Sequence, residues 1–163
     1  MHKNFYINIL IMFGVGNIKY APGTIASFIT CMVYCYLFSQ KAGIFLILFF
    51  YIFLIISSIN LIDKFSNKFK KKDPKEIVID EFIGQSVPLL FFYMLTSFTE
   101  KDVFYFLAFI SFILFRFFDI FKPYPISLVD KKMKNGLGVV LDDILAGLFT
   151  LIVILLFFLG TYF

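Results

Sequence analysis

Apolar residues fall in five long runs separated by short polar connections: residues 25–38, 44–62, 82–98, 103–121 and 139–163. The runs carry few internal charges and no strict alternation of apolar and polar positions, which points to helices rather than half-buried strands. A helix that crosses a bilayer needs about 20 residues, with about 17 tolerated. The second, fourth and fifth runs meet this easily and the third is marginal. The first meets it only when taken as 22–40. The pattern predicts an all-α, polytopic membrane helix bundle with about five membrane helices, one or two of them short or re-entrant. Residues 1–163 form one membrane-embedded domain, since no repeat or low-complexity linker divides them. Four spans plus a re-entrant or interfacial element is the alternative.

Orientation follows from the lysines. Lys64, Lys68, Lys70, Lys71, Lys72 and Lys75 crowd the connection after the second run, and Lys131, Lys132 and Lys134 the one after the fourth. Basic loops stay on the cytoplasmic side. The third and fourth runs then form a hairpin whose tip, Ser97-Phe98-Thr99-Glu100-Lys101-Asp102, lies outside, as does Ser39-Gln40-Lys41-Ala42-Gly43. The N-terminus lies inside. Its short apolar stretch, residues 5–13 after Lys3, has the length of a signal-peptide core. Lys19 sits at −3 of the best small-residue cut, so this stretch reads as a retained, membrane-associated segment.

Composition agrees. The chain is 61% hydrophobic, 21% aromatic and only 16% charged, where soluble domains average about 25% charged. Water cannot solvate such a surface, so lipid must cover much of it. Nucleic acid is not an expected partner, and the oligomeric state is left open. Cys31 and Cys35 read as small apolar residues on one helix face, because no further Cys and no nearby His completes a ligand set. The single histidine, His2, stands at the chain start. Mechanisms that need a positioned imidazole are thereby removed, including the histidine-nucleophile route of one large class of lipid phosphatases.

Five of the 11 acidic residues do not scatter. Asp80 and Glu81 open the third run, Asp119 stands near the end of the fourth, and Asp142 and Asp143 open the fifth. The lysine-based topology places all five at cytoplasmic helix ends. Each costs about 2.5–3.5 kcal/mol at the bilayer centre and less near an interface. A cluster of five also repels itself, and Arg116 and Lys122 cannot balance it. A divalent metal can, and oxygen ligands without His or Cys point to Mg²⁺ or Mn²⁺. Arg116, Asp119 and Lys122 recur every three residues, so they share one broad face if the helix continues. Interhelical ion pairing is the purely structural reading of the same acids. Gly84, Gly136, Gly138 and Gly147 would permit close backbone approach. Near the start, Gly14-Val15-Gly16 and Ala21-Pro22-Gly23-Thr24 open a helix that Thr24 could cap and whose backbone N–H groups, at Gly23 and Thr24, could hold a phosphate.

Four blocks together resemble the phosphatidylglycerophosphatase A family: Gly14-Val15-Gly16 with Ala21-Pro22-Gly23-Thr24-Ile25-Ala26-Ser27, Ile79-Asp80-Glu81-Phe82-Ile83-Gly84, the Arg-Phe-Phe-Asp-Ile-Phe-Lys-Pro-Tyr-Pro string that starts at Arg116, and the segment 136–147 with Leu-Asp-Asp-Ile-Leu-Ala-Gly. Gln85 departs from the hydrophobic residues familiar there, at no catalytic position. The resemblance implies a Mg²⁺-dependent phosphatase of the bacterial inner membrane, with its active site facing the cytoplasm. Its substrate would be phosphatidylglycerophosphate, from which it removes the terminal phosphate to leave phosphatidylglycerol. Asp80, Glu81, Asp142 and Asp143 are the expected metal ligands. Asp119, Arg116 and Lys122 complete the expected catalytic group, with Thr24, Gly23, Arg116 and Lys122 on the substrate phosphate. Either a base-activated water or a covalent aspartyl-phosphate would serve. The rival readings are a small ion-coupled membrane transporter using the same acids and a phospho-alcohol transferase, whose spaced Asp pattern is missing.

Overall fold

The computed structural model describes residues 2–65, 76–96, 98 and 100–160, all of its regular structure being helical. The lysines expected at 68, 70, 71, 72 and 75, and Ser97 and Thr99 of the expected hairpin tip, lie outside the described residues. Seven α-helices follow in order: α1 (His2–Leu10), α2 (Pro22–Ser39), α3 (Ile44–Phe65), α4 (Ile79–Leu95), α5 (Lys101–Phe121), α6 (Ile126–Lys132) and α7 (Gly136–Gly160), with a 3-10 turn at Met12–Asn17. Four of them, α2, α3, α5 and α7, are long and apolar enough to cross a membrane. The fifth, α4, has 17 residues, spanning about 25 Å at 1.5 Å per residue. The expected bundle of about five helices is therefore present, with the third run short as its sequence implied.

α4 is central rather than peripheral. It packs on α2, α3, α5 and α7, and nearly every side of it is buried, from Ile79 through Gly84 and Gln85 to Phe92 and Tyr93. Polar residues such as Gln85 and Ser86 therefore face protein, not lipid. The outer helices show the opposite pattern. Phe45, Phe49, Phe53 and Ile56 of α3 are exposed along one face, as a lipid-facing surface requires.

Chain direction alternates through the bundle, so the starts of α2, α4 and α7 share one end with the finishes of α3 and α5. At the far end the core is aromatic. Phe38 stacks on Phe104 with centroids 4.0 Å apart, and Tyr93 meets Phe38 edge-on. The Tyr93 hydroxyl donates to the Ala42 carbonyl at 2.7 Å, tying α4 to the turn after α2. Near the other end, Leu10, Ile62, Phe65 and Val140 gather α1, α3 and α7 around the start of α4. α1 itself has nine residues, too few to span, and docks through Tyr6 stacked on Phe65.

Three local expectations are corrected. Thr24 does not cap α2: the cap is Ala21, in the left-handed conformation and without a side-chain bond, and Pro22 opens the helix, a position that suits proline's fixed φ. The helix of the fourth run does not continue to Lys122, the condition on which Arg116, Asp119 and Lys122 would share one helical face. α5 stops at Phe121, and Lys122 adopts φ 42, because Pro123 has no N–H to continue the ladder. The lysine-rich segment after it is not all loop, since α6 buries Ile126 against Phe115 and Ala146.

Candidate active site

The helix ends that converge enclose a cavity of about 550 Å³. Among the described residues its wall includes Asp80, Glu81, Asp119, Asp130, Asp142 and Asp143, set against Arg116, Lys122 and Lys134. The wall of six carboxylates and three cations is short of positive charge.

The first turn of α4 supplies Asp80 and Glu81, where the helix dipole favours negative charge. Asp143 comes from the second turn of α7, deeper than a helix beginning at the acids would place it. One oxygen from each of Asp80, Glu81 and Asp143 lies within 4.8 Å of the other two. Asp80 Oδ1 and Glu81 Oε2 are buried with no hydrogen-bond partner. Orphaned carboxylate oxygens at this depth are costly, and a hard divalent cation is the group that suits three such ligands.

A close helix crossing makes this convergence possible. A Cβ at Gly84 would stand 2.5 Å from the Asp143 carbonyl oxygen, and one at Gly147 would collide with the Gly84 carbonyl. Pro88, one turn beyond Gly84, lacks the N–H that would bond that carbonyl within α4. That carbonyl oxygen instead fills the space a Gly147 side chain would take. Larger residues at either position would move α7 outward and carry Asp143 away from Asp80.

The other three acids are committed to cations. Asp142 Oδ2 lies 2.5 Å from Lys122 Nζ, and Asp130 Oδ1 lies 3.0 Å from the same nitrogen. Burial alone would lower the Lys122 pKa, but hydrogen bonds and charge from Asp142, with the hydrogen bond to Asp130, hold it above its ordinary value. Lys122 is thus a fixed cation. Asp119 Oδ2 pairs with Arg116 Nη1 at 2.7 Å, and the same Nη1 donates to Ser27 Oγ at 3.5 Å. Arg116 Nε is buried and unpartnered.

The first turn of α2 closes the opposite wall with Gly23 and Thr24. Gly23 has no side chain because the Glu81 carboxylate and the Arg116 guanidinium occupy the space a Cβ would take. The positive end of α2 therefore faces Glu81 first, and Thr24 is left to line the cavity.

Sequence reasoning missed Asp130, which holds Lys122, and Lys134, whose ammonium donates to the Asp130 carbonyl. The signal was the Pro123-Tyr124-Pro125 string: two prolines in three residues force a turn, so the next helix returns to the cavity mouth. It also missed the device that anchors the start of α7. Asp63 of α3 accepts from the Gly136 N–H at 2.6 Å, and Asn135 accepts from Gly138 N–H at 3.0 Å, so two of the helix's orphan donors are satisfied.

Comparison with known proteins adds independent information. The family model described as phosphatidylglycerophosphatase A matches residues 8–158. A phosphatidylglycerophosphatase A of Haemophilus influenzae is 35% identical over 142 residues, covering 87% of this chain and 82% of its own. A Bacteroides thetaiotaomicron protein provisionally named a phosphatidylinositol-3-phosphatase is 30% identical over 150 residues, covering 87% and 86%. An Escherichia coli phosphatidylglycerophosphatase A is 36% identical over 75 residues, 46% of this chain and 39% of its own. No solved structure matches.

Proposed function

The chain belongs to the phosphatidylglycerophosphatase A family, and from that premise we propose that it hydrolyses the terminal phosphate of phosphatidylglycerophosphate, leaving phosphatidylglycerol in the membrane. The observation that carries the reading is the meeting of Asp80, Glu81 and Asp143 with Arg116 and Lys122 around one cavity at the end of an apolar bundle. A lipid phosphate presents its charge at that depth while its chains stay in hydrocarbon.

Asp80, Glu81 and Asp143 would hold Mg²⁺, whose oxygen preference their carboxylates match and whose charge offsets their repulsion. When bound, the ion supplies Lewis-acid polarisation of a phosphoryl oxygen. Arg116 and Lys122 do the remaining electrostatic work. Their positions are fixed by Asp119, Asp142 and Asp130, so no reorganisation is needed as charge moves toward the leaving oxygen. Thr24 offers its hydroxyl to the phosphate from the α2 side. Of the acids, Asp119 is the one that borders the cavity outside the metal cluster while leaving Lys122 to others. It orients Arg116 and is placed to accept a proton from an attacking water. Asp142 acts as the anchor of Lys122 in this scheme and not as a ligand.

The cavity end lies in the cytoplasmic leaflet of a bacterial inner membrane in this reading. Lys64, Lys131, Lys132 and Lys134 sit at that end, in line with the positive-inside rule. Exposed Phe13, Tyr20 and Tyr124 ring the same end, as aromatic side chains do at a headgroup interface. A transporter finds no support, because the acids of α4, α5 and α7 gather at the helix ends rather than along a path through the bundle.

Phosphate release by the purified protein tests the assignment, with phosphatidylglycerophosphate, phosphatidic acid and phosphatidylinositol 3-phosphate compared at equal chain length. The expected result is a kcat/KM at least about tenfold higher for phosphatidylglycerophosphate, a preference worth about 1.4 kcal/mol. Faster release from phosphatidylinositol 3-phosphate would reassign the headgroup. No release from any of the three would overturn the phosphatase reading.

A further inference from the structure

A second cavity, of about 340 Å³, lies in the seam between α2 and α5. Phe28, Cys31 and Cys35 form its α2 wall, and Tyr105, Ala108 and Phe109 its α5 wall. Among the described residues no charged side chain borders it. The same two helices supply Gly23 and Thr24, and Arg116 and Asp119, to the polar cavity. The two cavities therefore follow one helix seam, one after the other.

Their spacing has a meaning in a bilayer. From Thr24 to Phe28 is four residues and to Cys35 eleven, so the groove runs from about 6 Å to about 16 Å beyond the polar cavity at 1.5 Å per residue. The α5 wall gives the same depth, since Phe112, also in the lining, precedes Arg116 by four residues and Tyr105 by eleven. Half of a hydrocarbon core is about 15 Å. The groove covers the depth of one leaflet, starting just below the phosphate site. It is open at the side, because Phe28, Met32 and Phe109 are exposed on the outer face of the bundle.

Small residues keep it open. Cys31 is buried and its thiol donates to the Ala108 carbonyl across the seam at 3.7 Å, fixing the groove floor. Cys35 is half-buried and unpaired by any disulfide. Leucine or phenylalanine at these places would fill the space, and the rest of this chain uses phenylalanine freely.

We propose that the α2–α5 groove binds an acyl chain of the same lipid whose phosphate occupies the polar cavity, so that one substrate molecule is held at both ends of one seam. This rests on the lipid-phosphatase reading and deepens it: the enzyme recognises the membrane-anchored part of its substrate as well as the headgroup. The chemical class is a long-chain glycerolipid phosphomonoester. A chain resting in the groove fixes the lateral position of the headgroup against Arg116 and Lys122.

Two measurements test it. The first uses phosphatidylglycerophosphate with a diazirine on one acyl chain, photolysed with the full-length protein in phosphatidylcholine vesicles, and a control with the same diazirine chain on phosphatidylcholine. The expected result is label concentrated on α2 residues 28–35 and α5 residues 105–112, at least severalfold stronger with the phosphomonoester. Equal labelling by both lipids, or label spread over the exposed α3 face at Phe45 and Phe49, would overturn the groove assignment. This readout needs no turnover, so it separates failure of the groove from failure of the phosphatase reading. The second compares kcat/KM for dioleoyl and dihexanoyl phosphatidylglycerophosphate. Cys35→Phe, which fills the groove, is expected to lower the long-to-short ratio about tenfold through KM, and Phe109→Ala, which opens its rim, to lower it severalfold. An unchanged ratio in both variants would count against the proposal.

Discussion

Gly147 of α7 rests on the carbonyl oxygen of Gly84 of α4, an oxygen that Pro88 deprives of its helical donor. One turn toward the cavity from this crossing, the Asp143 backbone lies against Gly84 itself. The separation of the two helix axes there sets whether Asp143 can share a cation with Asp80 and Glu81. Packing and chemistry are thus governed by the same few atoms.

Enlarging that crossing should damage the site before it damages the bundle. Gly147→Val forces α7 outward at a cost of about 1–3 kcal/mol, the usual range for overpacking. The expected outcome is a protein that inserts and stays helical by circular dichroism but loses most phosphate release. Wild-type activity in Gly147→Val would show that the crossing does not set the carboxylate spacing.

The three clustered carboxylates should be individually indispensable. If Asp80 and Asp143 hold the metal as proposed, Asp80→Asn or Asp143→Asn removes several kcal/mol of transition-state stabilisation, so phosphate release should fall at least about 100-fold. Membrane insertion and detergent-extracted monodispersity should be unaltered. A purified variant turning over phosphatidylglycerophosphate at the parent rate would remove that residue from the machinery.

Metal binding can be read without turnover. Mg²⁺ at about 100 times its Kd should stabilise the native state by about 2.7 kcal/mol, seen as a rise in the thermal unfolding midpoint that EDTA reverses. Glu81→Gln should shrink that rise. If Mg²⁺ shifts wild type and Glu81→Gln equally, the ion binds somewhere other than the carboxylate cluster.

Asp130 and Asp142 hold Lys122 from two sides, and their losses should differ. Lys122→Met removes the cation and is expected to cost about 100-fold or more in kcat/KM, comparable with loss of a transition-state donor. Asp130→Asn keeps the cation and Asp142, so a loss of about 10-fold is expected, at the low end of the range for groups that orient others. Equal losses in the two variants would mean that Asp130 touches the substrate itself.

Much of this protein is written in the order of its residues. Apolar runs of spanning length specify helices in lipid, because backbone groups there must bond within their own segment. Acids confined to the ends of those runs specify a charged site at one face, since the bilayer centre penalises them everywhere else. Which acid does what was not legible. Asp142 and Asp143 are neighbours in sequence and about 100° apart on the helix, and nothing local chooses between them. The Gly84–Gly147 crossing turns Asp143 toward α4 and leaves Asp142 facing Lys122, which has itself left its helix in a left-handed turn before proline. Asp130 and Asp63 entered the picture for the same reason: a long-range partner is specified by how helices pack, and packing depends on surfaces that meet only once the chain has folded.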